Sequence, residues 1–180
     1  MRHVKLAVSW ILSVIQTAEG IIGLSGVLAT TLLIFADVLN RYWLHIEIMG
    51  IGDLALYCFI FYMFVIAAFT TSQEGHISVD FLRDMVTREK PVVAASYRVF
   101  LVILAIVILC FLLPEAYKFM LTAIQYPEYG TLMRWFNQSW LQITYFVALV
   151  FVGIHLVVIA QRDIRELIKV ITARSQKRGA

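Results

Sequence analysis

The sequence predicts an all-α membrane protein with four transmembrane helices, a short interfacial helix on the cytoplasmic side and a cytoplasmic helical extension at the C-terminus. Three observations carry this. Of 180 residues, 61% are hydrophobic and only 15% charged, with a mean hydropathy of +0.83; soluble domains lie nearer ~half apolar and ~a quarter charged. Residues 54–71, LALYCFIFYMFVIAAFTT, carry no charge and stop abruptly at a polar, glycine-containing segment. About 18 residues at ~1.5 Å each nearly cross a hydrocarbon core of about 30 Å. Finally, four apolar segments stand near 9–36, 54–71, 92–113 and 139–160. Each is helix-length and too continuous for the alternating pattern of a membrane barrel. The length suits one four-helix domain over 1–180 rather than two.

The first span is too long for a signal-peptide h-region and lacks a small-residue cleavage site, so no cleavable leader is expected. It carries Glu19, Gly23, Gly26, Thr30 and Asp37 at offsets of 4, 7, 11 and 18. Those offsets put all five on one helical face. Small residues let helices approach closely where lipid supplies no hydrophobic drive, so this is a packing face. Glu19 is its deeply placed ionisable group, and a carboxylate near mid-bilayer costs roughly 2.5–3.5 kcal/mol without a partner. His155 on the fourth span is the candidate partner, since both residues lie about 9–12 Å from the same membrane face at ~1.5 Å per residue. Three readings follow: a structural interhelical hydrogen bond within the bundle or to another subunit, one step of a proton or ion relay, or a Glu19 that reaches the cytoplasmic interface on its own. A relay needs a chain of ionisable groups across the membrane, and the spans offer only these two.

Asp53 opens the second span, and Gly75-His76 makes the sharp exit from it. Ser78 is placed to cap a short helix with Asp80 in its first turn, where the helix dipole favours negative charge. Phe81, Leu82, Met85 and Val86 share a face suited to the lipid interface, with Arg83, Asp84 and Arg88 turned to water. His76 reads as a hydrogen-bonded turn histidine, because no second ligand stands at metal spacing. Pro91 suits the first turn of the third helix, where its missing N–H has no partner to lose. Beyond Pro114, Tyr117, Met120, Leu121 and Ile124 keep helical spacing, so this helix is expected to run on toward Tyr126-Pro127. After the fourth span, Ile164, Leu167, Ile168 and Ile171 form an apolar stripe. Arg162, Asp163, Arg165, Glu166 and Lys169 fill the other faces. Cys58 and Cys110 lie within apolar runs and read as small buried hydrophobes.

Orientation follows from the basic residues. Arg2, Lys5, Arg83, Arg88, Lys90, Arg98, Arg162, Arg165, Lys169, Arg174, Lys177 and Arg178 fall on one side, and only Arg41, Lys118 and Arg134 on the other. The positive-inside rule therefore places both termini in the cytoplasm. The net charge of +3 reflects topology and calls for no nucleic-acid partner. Tyr42, Trp43, Tyr126, Tyr129, Trp135 and Trp140 gather at the opposite interface, where amphipathic rings prefer to sit.

Catalytic signatures are missing: the sequence holds no HExxH, CxxC, P-loop, GxGxxG or GxSxG. His3, His45 and His76 all fall outside the hydrocarbon core, so paired intramembrane haem ligands are lacking. No catalytic site, metal or cofactor is expected.

One stretch resembles a known family. Asp37-Val38-Leu39-Asn40-Arg41-Tyr42 closes the first span, Asp53 opens the second, and Glu74-Gly75-His76-Ile77-Ser78-Val79-Asp80-Phe81-Leu82 follows it. This pattern resembles the small, DctQ-like membrane subunit of tripartite ATP-independent periplasmic (TRAP) transporters. The resemblance is specific over about residues 37–82 and rests on length and span number elsewhere. It departs from the family pattern at Asp53, usually Glu, at Ile66, usually a glycine, and around Asn137-Gln138-Ser139-Trp140, where a proline is common.

The resemblance implies a non-catalytic bundle in the bacterial inner membrane, paired with a large twelve-span subunit that carries a small organic acid and sodium. A periplasmic binding protein would deliver the substrate, and the small subunit would scaffold the fixed part of the transporter. Arg41, Tyr42, Asp53, Gly75, His76 and Asp80 would then fix helix ends or face the partner. Two other classes, a four-span membrane enzyme and a respiratory-complex anchor, would need a convergent polar cluster or haem ligands.

Overall fold

The computed structural model describes residues 2–45, 50–73, 91–130 and 133–178. Four long helices make up nearly all of it: α1 (Arg2–Leu39), α2 (Ile51–Ser72), α3 (Pro91–Gln125) and α4 (Ser139–Arg178). Each supplies a stretch long and apolar enough to cross a membrane, the first running on past the end of α1: Leu12–Leu44, Ile51–Ser72, Val92–Gln125 and Ser139–Thr172. Among the described residues there is no strand; Tyr129 and Asn137 form an isolated bridge.

The helices outrun the apolar segments that predict them, since backbone hydrogen bonding continues wherever side chains tolerate the interface. α3 passes through Pro114 and ends at Gln125, as the spacing of Tyr117, Met120, Leu121 and Ile124 predicts. α1 does not stop at Leu39 but widens into a π-helical turn, Asn40–Leu44, which ends at His45 in the left-handed conformation, φ 52°. α4 runs without a break from Ser139 to Arg178. Its start is capped by Asn137, whose Oδ1 accepts the Ser139 N–H at 2.9 Å; an Asn cap does here what the expected proline does not. The short helix expected around Ser78 and Asp80, together with Gly75 and His76, lies outside the described residues.

Among the described residues, helix Cα atoms come within 8 Å of each other in three pairs: α1 with α2, α2 with α4, and α4 with α3. The four therefore form an open row, α1-α2-α4-α3, where a compact bundle is expected from the sequence. In water such a row would close on itself to hide apolar surface. In lipid the outward faces are already solvated by hydrocarbon, so nothing drives closure. α2, central in the row, has the largest buried share of its span at 22%, against 6% for α3.

The buried apolar residues are mostly small: Ala55, Ala68, Ala116 and Ala148, with Tyr57 and Ile159. Close backbone approach at these small residues, together with ring contacts between Phe64 and Tyr145 and between Tyr117 and Phe146, holds the row together. Large apolar residues point outward, among them Trp10, Leu32, Phe100, Phe111 and Trp135. Cys110 is exposed on this outer surface and Cys58 half-buried, both as free thiols, so the expectation of two buried cysteines holds for neither in full. Cys110 falls on the outward face of α3, which no neighbouring helix covers.

Candidate functional site

The seam between α1 and α2 is built on glycines spaced three apart. A Cβ on Gly20 would lie 3.2 Å from the Phe69 ring, and one on Gly23 3.1 Å from Ile66 Cδ1. One on Gly26 would overlap the Cβ of Tyr62 outright. Each glycine thus receives a bulky α2 residue, at positions 62, 66 and 69, one face of that helix. Ile66, the departure from the family pattern, fills the space left by Gly23.

Glu19, at one end of this seam, is 5% exposed, and His155 on α4 is 3% exposed. His155 Nε2 lies 3.2 Å from Glu19 Oε2 and 3.5 Å from Oε1. The pair spans 136 residues of sequence and joins two helices that both flank α2. Each group supplies the hydrogen-bonding partner that a polar side chain needs in hydrocarbon.

Toward the far end of the seam, away from the chain termini, α1 and α2 leave a cleft of about 250 Å³. Gly52, Ala55, Ile34, Leu56 and Phe59 give it an apolar lining, and Thr30 and Asp37 are its polar groups. Asn40, at the start of the π-helical turn, is buried with its Oδ1 unpaired. Arg41 and Tyr42 on the same turn are exposed. Asp53 stands half-buried in the first turn of α2, where the helix dipole favours a carboxylate.

A second polar junction was not foreseen. Asp163, grouped by sequence with the polar faces of the tail, is buried at 3% exposure. Its Oδ1 accepts a hydrogen bond from Arg98 on α3 at 3.1 Å and from the neighbouring Arg162 at 3.2 Å. The signal was present: His155, Ile159 and Asp163 recur every four residues, so they share one face, and all three are buried.

The connection between α3 and α4 folds back onto the end of α2. Gln138 Nε2 donates to the Tyr57 hydroxyl at 2.9 Å, and the Tyr57 and Phe136 rings stack at 4.7 Å. Gly130 is forced by this contact, since a Cβ there would lie 2.8 Å from the Tyr57 hydroxyl oxygen. Trp135 and Trp140, both strongly exposed, line an adjacent apolar groove of about 400 Å³. Among the described residues no three His, Cys, Asp or Glu side chains converge as a metal site would require.

Four membrane-length helices with broad outward apolar faces, two of them joined by a buried carboxyl–imidazole contact, define a multi-pass membrane protein. The comparisons name its family. The DctQ component of tripartite ATP-independent periplasmic transporters matches residues 30–166, and the chain belongs to that family as its small membrane subunit. A comparison with curated proteins found no match.

Proposed function

We propose that this chain is the non-catalytic scaffold of its transporter: it braces a large membrane subunit that performs sodium-coupled uptake of a small organic acid brought by a periplasmic binding protein. It acts as a single four-helix unit in the bacterial inner membrane, with both termini and the end of α4 in the cytoplasm. The observation that carries this reading is the use made of its intramembrane charge. Glu19 and His155, the ionisable pair deepest in the spans, face each other at 3.2 Å, which supports a structural clasp over a relay. The open row leaves wide apolar faces on α1 and α3, suited to lipid and to a larger partner.

Reconstitution tests the proposal. The large subunit and its binding protein are placed in liposomes with and without this chain, and sodium-driven uptake is followed. Uptake and complex stability are expected to fall together when the chain is omitted. Substrate transport by this chain alone would overturn the scaffold reading.

A further inference from the structure

The cleft between α1 and α2 holds two polar side chains that find no partner among the described residues. Thr30 is 5% exposed, and its Oγ1 has no hydrogen-bond partner. Threonines in membrane helices ordinarily turn the hydroxyl back to a carbonyl one turn earlier, as Thr31, Thr70 and Thr144 do here at 2.7–2.8 Å. Thr30 instead lines the cleft. Asp37, two turns further along α1, lines the same cleft. Among the described residues Asp37 makes no hydrogen bond or ion pair. Arg41 follows it by four residues, a spacing that normally pairs side chains on an α-helix. Arg41 stands exposed on the π-helical turn and makes no ion pair with Asp37.

We propose that this cleft seats a transmembrane helix of the large subunit, which presents a lysine or arginine to Asp37 and a hydrogen-bonding group to Thr30. The inference rests on the assembly reading above and adds to it a place and a chemistry. A carboxylate at the end of a span, flanked by apolar Ile34, Leu56 and Phe59, attracts a cation more strongly than one in open water. A basic side chain can run its aliphatic stem along that lining and bring its charged head to the rim. Gly52 has nothing within 4 Å of where a Cβ would stand, so the cleft admits a close-packed backbone there.

A lipid fits less well. Thr30 and Asp37 are separated by about 10 Å along the helix at ~1.5 Å per residue. A headgroup amine reaches Asp37, but acyl chains offer nothing to the Thr30 hydroxyl. A helix supplies polar groups at both depths.

The test is photo-crosslinking in membranes that contain the whole transporter. Benzoylphenylalanine replaces Phe59 in the cleft lining or, for comparison, Phe111 on the outward face of α3. The Phe59 position is expected to yield an adduct with the large subunit that maps to a spanning helix bearing a basic residue. Asp37→Asn, which preserves shape, and Thr30→Val should each lower that yield, and Asp37→Lys should lower it by about tenfold or more. Circular dichroism and monodispersity of each variant check that the fold survives. If the large subunit co-purifies but Phe59 gives only lipid adducts or none, the cleft proposal is overturned and the assembly reading stands. An unchanged yield in all three variants also overturns it. If no large subunit co-purifies with the unsubstituted chain, both readings fall together.

Discussion

His155 Nε2 stands 3.2 Å from Glu19 Oε2, yet the Cα atoms of α1 and α4, which carry them, nowhere approach within 8 Å. Two long side chains therefore bridge helices that backbone packing does not hold together. In an open row, α1 is fixed by its seam with α2 alone, and a single seam leaves a rotation about its own axis. The clasp to α4 removes that freedom. It also explains why a carboxylate is tolerated so deep in an apolar span, since its partner is supplied from within the chain.

Replacement of either partner should be costly. His155→Leu leaves the Glu19 carboxyl without its partner and Glu19→Leu leaves the imidazole without its own, each in a buried site. Interhelical hydrogen bonds in membranes average about 0.6 kcal/mol, and stranding a buried polar group costs about 1–3 kcal/mol, so single losses of about 1–3 kcal/mol are expected. The double Leu variant should recover much of that, because nothing is left unpaired. Glu19→Gln should retain transport. Thermal unfolding in detergent and uptake in liposomes check both points. Abolished uptake in Glu19→Gln with assembly intact would favour the relay.

Gly26→Ala should be the most damaging methyl addition on the α1–α2 seam. The added carbon overlaps Tyr62 at its Cβ, which cannot swing away without moving the α2 backbone, whereas Gly23 and Gly20 meet the ends of flexible side chains. Overpacking of this kind costs about 1–3 kcal/mol. Gly52→Ala, with open space around it, should be neutral or slightly stabilising in the isolated chain. Comparison of melting temperatures decides this, and equal values for the two variants would contradict the close approach at Gly26.

Arg98 and Asp163 should show coupling in a double-mutant cycle. Removing one member of a buried pair costs about 3–5 kcal/mol, less here because the Arg98 side chain is 36% exposed and Asp163 also has Arg162. Arg98→Met should therefore destabilise less than Asp163→Leu, which removes the acceptor that Arg98 and Arg162 share. Strictly additive single effects in the cycle would show that the contact at 3.1 Å carries no energy.

Span number and helix type were legible because hydrophobic length is a direct demand of the bilayer. The packing face of α1 was legible for a related reason: Gly23, Gly26 and Glu19 recur at helical spacing, and the structure sets that face against α2 and α4. The open row was not legible, since one apolar face looks the same whether a helix or lipid covers it. Asp163 was misplaced because its neighbours Arg162, Arg165, Glu166 and Lys169 are polar, and a local charge run hides the four-residue rhythm that ties it to His155 and Ile159. The π-helical turn at Asn40–Leu44 has no periodic signal at all.

Membrane orientation gives the last prediction. Twelve of fifteen lysines and arginines cluster at the terminal end of the chain and around the α2–α3 connection, and three at the other end. Six of the twelve lie beyond Ala160, and translocating so many cations is what the positive-inside rule disfavours. The opposite end carries Tyr42, Trp43, Tyr126, Trp135 and Trp140, each at least 67% exposed, which matches rings seated in a headgroup layer. Single cysteines at Ala180 and at Glu128, exposed in the α3–α4 connection, report the two sides in a background with Cys58 and Cys110 replaced. A membrane-impermeant maleimide on intact spheroplasts should label Glu128→Cys at once. It should label Ala180→Cys only after permeabilisation. The reverse pattern would invert the protein and place Arg98 and Asp163 on the periplasmic side.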